Sequence, residues 1–341
     1  MENIKRGVAV PSAAFTIKPS LLKYYNLIEK RPKAGDVVYG QIIRIGEHSS
    51  LENKSGRIHM IHNDSLGIFV FGNRYAPDYY EGVVPSTFIQ EVDLLARSGV
   101  IGSVRTKNSL RKDPTKVKIL GYVCDSDSNV VNTKDYSLIN PKTMIKKHPR
   151  SKLILVCGTS MNSGKSKAAT ACCWALNSLG YTVRASKVTG TAGLKDVLNM
   201  NDAGAEHYSD FTYLGYPSTY MLDKKSVLTI FNRLDLKYAN NPKNFWVVEF
   251  ADGIIQRETA MLLETEEVRS RLHRLIFCAC DVFGAIGGLN ILKDRYKLKP
   301  DAISGICSSS PLHIQELSEF TDIPVFNSID VDLKQLSELL T

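Results

Sequence analysis

One stretch near the middle of the chain restricts the fold more than any other. Residues 153–157 form a short apolar run, residues 158–166 read Gly-Thr-Ser-Met-Asn-Ser-Gly-Lys-Ser, and an alanine-rich helical pattern follows. A buried strand, a loop of small residues and a helix in this order are typical of a phosphate-binding P-loop. The backbone N–H groups of such a loop and the positive end of its helix both point at phosphate oxygens.

The loop also supplies the side chains that a bound nucleotide needs. We expect Lys165 to contact the β- and γ-phosphates and the Ser166 hydroxyl to ligate Mg²⁺. Gly164 follows Gly158 by six positions, one more than in the usual motif. The predicted nucleotide-binding residues are Gly158, Thr159, Asn162, Ser163, Gly164, Lys165, Ser166 and Lys167.

Length and composition indicate a globular protein of two domains. A chain of 341 residues exceeds the size that one hydrophobic core usually serves. No apolar run is long enough to span a membrane, and the first residues lack the apolar core of a signal peptide. The seven cysteines lie mostly inside apolar runs, and no Cys-x-x-Cys pair occurs. We therefore expect a cytoplasmic protein with no membrane partner.

The positive charge is concentrated in the first half of the chain. Residues 1–150 contain 23 Lys and Arg against 14 Asp and Glu, whereas the two signs nearly balance afterwards. The basic residues cluster at 105–118 and 142–150. One interpretation is a solvated face followed by a linker, which we favour. The other is a surface that contacts nucleic acid or an acidic partner.

Residues 1–131 predict a small β-rich, barrel-like domain. After a short helical pattern at 19–29, runs of branched and aromatic residues at 37–45, 56–62, 67–72 and 116–123 alternate with Gly, Asn, Asp and Ser clusters. Short strands separated by such turns are typical of barrels and sandwiches. Residues 132–150 contain two prolines and few apolar pairs, so they are predicted to form a linker in which Leu138 and Ile139 could dock on either domain.

Residues 151–341 predict an α/β domain with a mostly parallel, doubly wound sheet. Apolar runs at 153–157, 182–187, 245–250, 275–280, 303–307 and 323–326 alternate with helical patterns at 164–179, 224–236, 256–272, 284–295, 312–320 and 330–340. Continuous apolar strands alternating with helices indicate a parallel sheet that is covered on both faces. Ligands of such sheets bind outside the carboxyl ends of the strands.

Polar residues follow several of these strands. Lys187 and Thr191 come after the second run, where they would face a γ-phosphate or an acidic substrate, or else form an ordinary tight turn. Glu249 ends the third central run, and a buried carboxylate needs a partner. Magnesium is the partner we favour, and a salt bridge to a lysine is the alternative. Asp202 would complete the metal site or merely cap a helix.

Two further features leave alternatives open. Gln256 and Arg257 would either hold substrate or simply begin a helix beside the expected metal. The aromatic loop at 210–220 would serve as a substrate lid, a dimer contact or core packing.

The ordered set of motifs over residues 150–330 resembles the dethiobiotin synthetase family and its relatives among ATP-dependent amidoligases. That family's loop, Gly-Thr-Asp-Thr-x-x-Gly-Lys-Thr, has the same six-position spacing as residues 158–166. Its Lys-Pro-x-x-Ser/Thr-Gly, Asn-Ser-Asp-Ala, Val-Glu-Gly-Ala-Gly-Gly and late Gly-to-Pro segments are similar to residues 187–191, 200–203, 248–253 and 305–311.

The resemblance implies a fold, cofactors and roles. Lys165, Lys187 and Thr191 would act in catalysis, and Ser166, Asp202 and Glu249 would hold Mg²⁺. It implies ATP, with GTP as the alternative, and a homodimer. Asn162 replaces an acidic loop residue of the family, so the nucleotide and the substrate stay open. Related partition ATPases carry an additional lysine where Ser160 stands, which disfavours their mechanism.

Two functions follow from the sequence. The first is a Mg-ATP-dependent P-loop enzyme, ligase-like or kinase-like, that transfers or hydrolyses the γ-phosphoryl group and activates a carboxylate or carbamate of a small acidic substrate. The second is a nucleotide-gated regulatory or assembly NTPase whose basic N-terminal domain binds nucleic acid or a protein partner.

Overall fold

The computed structural model describes residues 1–140 and 145–341, which form two compact units. The first unit contains Met1–Asn140 together with two later segments, Gly190–Lys195 and Phe211–Met221. The second unit contains the other described residues. No helix of the described chain combines the length and the apolarity needed to cross a bilayer.

The first unit is built on a closed ring of β-strands. Its eleven strands are β1 Glu2–Asn3, β2 Tyr24–Asn26, β3 Val37–Arg44, β4 Ser50–Glu52, β5 Ile58–Met60, β6 Leu66–Phe71, β7 Arg74–Tyr75, β8 Tyr80–Val83, β9 Glu91–Leu94, β10 Val100–Lys107 and β11 Lys116–Cys124. Neighbouring strands pair in the order β11-β3-β6-β10, and β9 pairs with both β10 and β11. This closure confirms the barrel-like domain that the sequence predicts.

Successive side chains of each strand point alternately to the two faces of the ring, and this explains how the ring is packed. Phe69 and Phe71 of β6 belong to one apolar cluster with residues of β9, β10 and β11. Ile68 and Val70 belong to a second cluster, which includes Ala13, Ala14 and Ile17. The ring therefore has a filled interior, and one part of its outer face is also covered.

Two predictions for the first 150 residues require correction. Residues 19–29 do not form a helix. Pro19–Leu21 is a single 3-10 turn, and β2 pairs with β1 and β11. The predicted linker at 132–150 begins inside the first unit, because Asn132 donates a side-chain hydrogen bond to Asp36 (3.0 Å) and Ile139 is buried. Residues 141–144 of that linker lie outside the described residues.

The second unit has the predicted α/β architecture. Its strands are β12 Lys152–Gly158, β13 Val183–Lys187, β14 Ala205–Asp210, β15 Phe245–Glu249, β16 Leu272–Ala279 and β17 Ala302–Gly305. Its helices are α1 Lys165–Ser178, α2 Lys195–Asp202, α3 Lys224–Tyr238, α4 Arg257–Leu263, α5 Glu266–Arg269, α6 Val282–Tyr296, α7 Pro311–Ser318 and α8 Leu333–Leu340. The run at 323–326 contributes only a single bridge, between Ile303 and Val325.

All six strands run parallel, in the order β14-β13-β15-β12-β16-β17. From β12 the chain moves through α1 toward β13 on one side, and later moves through α6 toward β17 on the other. Right-handed crossovers in opposite directions place their helices on opposite faces. The sheet is therefore doubly wound, and the carboxyl ends of β12, β13 and β15 meet at one edge.

The chain leaves the second unit after two neighbouring strands. Gly190–Lys195 follows β13, and Phe211–Met221 follows β14. Within the first unit these segments pair through Thr191 and Ser218, and the Leu194 N–H donates to the buried Glu52 carboxylate at 2.8 Å. The aromatic loop predicted at 210–220 is largely this second segment, in which Phe211 and Leu214 are buried.

Candidate functional site

The loop between β12 and α1 approaches its neighbours so closely that three glycines are required. Gly164 precedes α1 with φ +96°, and a methyl group there would lie 2.6 Å from the Cα of Gly305. A methyl group on Gly158 would lie 2.4 Å from the Ser163 hydroxyl oxygen. A methyl group on Gly253 would lie 2.1 Å from the carbonyl oxygen of Thr159.

Backbone hydrogen bonds hold the start of this loop against the strands beside it. The Thr159 N–H donates to the carbonyl of Cys278 at 2.9 Å, and the Ile254 N–H donates to the carbonyl of Gly158 at 2.8 Å. Asn162 has a left-handed backbone, φ +61°, at the tip. A fixed strand–loop–helix turn with free helical N–H groups at its end is an anion site. The loop has the geometry of a P-loop.

Lys165 is positioned inside the arc of this loop. Its side chain is buried, and Nζ donates to the carbonyl of Ser160 at 2.6 Å, with the Ser163 hydroxyl 3.4 Å away. An ammonium group has three donors, so it can exchange a loop carbonyl for phosphate oxygens without moving far. Lys167, by contrast, is exposed on the first turn of α1.

Glu249 faces the first turn of α1. β15 pairs directly with β12, with Glu249 beside Val156, and this register places the carboxylate next to the loop. The Ser166 hydroxyl donates to Oε1 of Glu249 at 3.2 Å. Glu249 is only 2% exposed, and its Oε2 has no hydrogen-bond partner among the described residues.

Lys187 supplies the charge that balances Glu249. It ends β13 directly opposite Glu249, and its Nζ lies 3.6 Å from Oε1. It also donates a hydrogen bond to Oδ2 of Asp196. Burial lowers the pKa of Lys187, but the Asp196 and Glu249 carboxylates outweigh burial and raise that pKa above its ordinary value. Lys187 is therefore a cation at neutral pH.

Burial has the opposite consequence for Glu249. It raises the pKa of this carboxyl, Lys187 opposes that rise, and Asp196 adds to it, so the pKa lies above its ordinary value. The sequence left two interpretations of Glu249 open, a metal ligand or a salt bridge to lysine. In the structure the same carboxylate contacts Lys187 and also Ser166, the predicted metal ligand, so it is placed for both.

The donors at Ser166 and Glu249 fit Mg²⁺. Magnesium takes oxygen ligands and is usually held by one or two protein groups, substrate phosphates and water. The Ser166 hydroxyl and the Glu249 carboxylate are adjacent, and the unpartnered Oε2 is the kind of buried atom that a cation would satisfy. Within residues 1–140 and 145–341 there is no cluster of three or more His, Cys, Asp or Glu that would form an all-protein metal site.

One predicted site residue lies elsewhere in the second unit, and another belongs to the first unit. Asp202 is exposed at the end of α2, just before β14 begins, and therefore at the amino edge of the parallel sheet, opposite the P-loop. The structure does not bring it to Ser166 and Glu249. Thr191 belongs to the first unit, where it pairs with Ser218.

Sequence reasoning missed Asp196 and Thr189. Asp196 lies in the first turn of α2, and only the onset of a helix after Gly193 marks it in the sequence. The buried Thr189 hydroxyl accepts the Ala251 N–H at 2.8 Å and thereby joins the ends of β13 and β15. Gln256 proves to be the N-cap of α4, accepting the N–H groups of Glu258 and Thr259, which favours the helix-start interpretation.

A groove of about 430 Å³ opens between α6 and α7. Phe283, 87% exposed at the start of α6, lines it together with Phe320 and three carboxylates. A methyl group on Gly284, the next residue, would lie 3.7 Å from Thr159 Cγ2, so this end of α6 adjoins the P-loop. The groove provides an aromatic surface beside the phosphate site.

Comparisons with known proteins add little to this geometry. No protein-family model matches the sequence, and no curated protein sequence matches it. The signal recognition particle receptor FtsY from Elizabethkingia anophelis, in complex with GDP, is similar with a TM-score of 0.36 and 11% identity over 61% of this chain and 69% of that chain. FtsY from Mycoplasma mycoides is similar with a TM-score of 0.34 and 15% identity over 58% and 69%.

At these TM-scores neither likeness bears on family or activity. Neither supports membership of the dethiobiotin synthetase family.

Proposed function

We propose that this chain binds Mg²⁺ and ATP at its P-loop and transfers the γ-phosphoryl group to a carboxylate or carbamate oxygen of a small acidic substrate. GTP is the alternative nucleotide. One observation carries the proposal. Beside a glycine-constrained loop, the Ser166 hydroxyl and the Lys187 ammonium both lie within 3.6 Å of one buried carboxylate oxygen, Oε1 of Glu249.

Each charged or polar side chain of the site has a separate role in this proposal. The loop N–H groups and Lys165 hold the β- and γ-phosphates, and Ser166 and Glu249 hold the metal. Lys187 faces the γ-phosphate and the acidic acceptor, which repel each other unless a cation lies between them. When bound, Mg²⁺ neutralises part of the charge on the phosphate oxygens.

The reaction needs positioning more than acid–base chemistry. An acceptor carboxylate oxygen forms a bond to the γ-phosphorus while the bond from phosphorus to the bridging oxygen breaks, and ADP leaves with that electron pair. The product is an acyl phosphate. An ionised carboxylate has no proton to lose, so no general base is required.

Hydroxylamine trapping tests this proposal directly. The full chain is incubated with Mg²⁺, ATP and a panel of small mono- and dicarboxylic acids, and hydroxylamine converts any acyl phosphate to a hydroxamate. We expect ATP-dependent hydroxamate with at least one acid, and its loss in Glu249→Gln. ATP turnover that no acid stimulates, with no hydroxamate, would contradict carboxylate activation.

One observation favours the regulatory function as a second candidate. Three residues after Lys187 the chain enters Gly190–Lys195, which belongs to the first unit. A change at Lys187 on nucleotide binding would therefore be passed along the chain to the β-rich unit. The homo-oligomer and the cytoplasmic location expected from the sequence stay predictions.

The charge pattern gives less support to a nucleic-acid partner. Four basic residues of the cluster at 105–118 pair with acids of their own unit, as Arg105–Glu81, Lys107–Asp113, Arg111–Glu47 and Lys116–Asp93. ATP hydrolysis measured with and without DNA or RNA separates the candidates. Stimulation that is lost when Arg111, Lys112, Lys116 and Lys118 are neutralised would favour the regulatory function.

A further inference from the structure

Three buried or half-buried charges lie in a row beside the P-loop, and the middle one is a cation. Lys187 donates a hydrogen bond to Asp196 and lies 3.6 Å from Glu249. The side chains of Asp196, Lys187 and Glu249 are 25%, 13% and 2% exposed, so the row runs from a partly solvated carboxylate to a fully buried one. Asp252 adds to the negative field around the ammonium.

The two oxygens of Glu249 are used unequally. Oε1 is contacted by both Ser166 and Lys187, whereas Oε2 is buried and has no hydrogen-bond partner in the part of the chain that the structure describes. A buried carboxylate is costly unless a cation compensates it. In the protein alone the cation that forms an ion pair with Glu249 is Lys187, and it lies next to the position where Ser166 and Glu249 would hold a metal.

We propose that Lys187 is a resident counter-ion that the incoming metal displaces from Glu249, and that Asp196 positions Lys187 for this exchange. When Mg²⁺ and nucleotide bind, the negative charge of Glu249 would be compensated by the metal instead of by Lys187. Lys187 keeps its bond to Asp196 and becomes available to the γ-phosphate. This inference rests on the proposed function, because it assumes that Ser166 and Glu249 hold the metal.

The exchange predicts effects of opposite sign on two affinities. Lys187→Met removes the competing cation, so the affinity for Mn²⁺ alone should rise at least about tenfold, since a cation this close to Glu249 repels a second cation there. The same variant should bind Mg-ATP more weakly, because the phosphate loses an ammonium. The measurements are electron paramagnetic resonance titration with Mn²⁺ and calorimetry with Mg-ATP.

Asp196→Asn provides a second variant that keeps the buried Lys187–Glu249 pair and hence the fold. Lys187 then has Glu249 as its main partner, and the affinity for Mn²⁺ should fall severalfold. In the Lys187→Met background the same change should alter that affinity by less than about twofold, because Asp196 acts through Lys187. Lys195→Ala, which removes an exposed lysine adjacent to Asp196, is the matched charge control and should leave Mn²⁺ affinity unchanged.

The outcomes separate this inference from the function on which it rests. If the unaltered chain binds no Mg-nucleotide, the proposed function fails. If it binds Mg-nucleotide but Lys187→Met leaves Mn²⁺ affinity unchanged or lowers it, only the exchange is wrong. An Asp196→Asn effect that persists in full without Lys187 would also overturn it. If Lys187→Met does not fold, the Mn²⁺ affinity of Asp196→Asn tests the exchange instead. An affinity equal to that of the unaltered chain would then contradict the exchange.

Discussion

Gly253→Ala should displace the P-loop without removing a functional group. The added methyl would lie 2.1 Å from the carbonyl oxygen of Thr159 and 3.3 Å from the Cα of Ser160, both backbone atoms of the loop. Side-chain carbons essentially never approach other heavy atoms closer than 3.0 Å, so the loop must move by close to 1 Å. Such overpacking costs about 1–3 kcal/mol of stability.

The same shift should weaken nucleotide binding. Loop N–H groups that move by about 1 Å lose much of their alignment with phosphate, and misplacement of this size costs up to about 100-fold in function. We expect calorimetry to show a 10- to 100-fold loss of Mg-ATP affinity. Urea unfolding should show the loss of stability.

Gly287→Ala is the matched control for this prediction. Gly287 lies in the middle of α6, and a methyl group there meets no atom of residues 1–140 and 145–341 within 4 Å. Alanine should stabilise the helix by about 0.5–1 kcal/mol and leave the affinity unchanged. If Gly253→Ala binds Mg-ATP within about twofold of the unaltered chain, the close packing of the loop does not control the site.

Three further predictions concern other parts of the molecule. Glu249→Gln should lower Mg²⁺-dependent turnover by at least about 100-fold while circular dichroism stays unchanged; equal rates across a magnesium titration would exclude its metal role. Phe283→Ala should weaken ATP binding about tenfold and leave inorganic triphosphate binding unaffected, since stacking on a base is worth about 1–3 kcal/mol. Burial, helped by Arg74, lowers the pKa of His48 to about 3. His48 therefore binds a proton at higher pH in the unfolded chain than in the folded one. Its contribution to the free energy of unfolding is fully present above the unfolded pKa and is lost as the pH falls. From pH 7 to 5 the loss in urea unfolding should be about 2 kcal/mol, and a His48→Gln variant with the same loss would refute this origin.

The predicted site residues that the structure brings together lie at the ends of apolar strands. Gly158, Lys165 and Ser166 follow one such strand, and Lys187 and Glu249 end two others, so parallel pairing alone brings them together. Periodicity and the rule that ligands bind at carboxyl ends were sufficient to predict that these residues lie together.

The errors arose where long-range contacts decide the structure. β14 reads Ala-Glu-His-Tyr-Ser-Asp and is an edge strand, so no continuous apolar run marks it. Because β14 was not predicted, the short helix α2 and Asp196 in its first turn were not predicted either. Asp202 was instead assigned the metal-binding role that the resemblance implied. The assignment of Gly190–Lys195 and Phe211–Met221 to the first unit depends on partners such as Glu52, more than 100 positions away.

Calorimetric titration of Lys165→Ala with Mg-ATP tests the central claim most directly. Lys165 lies inside the loop with Nζ 2.6 Å from the carbonyl of Ser160, and its loss removes charge-assisted bonds to phosphate worth about 1.5–3 kcal/mol each. We predict that the affinity falls at least about 100-fold, whereas Lys224→Ala, an exposed lysine of the same unit, stays within about twofold. Unchanged affinity in Lys165→Ala would contradict the P-loop assignment itself.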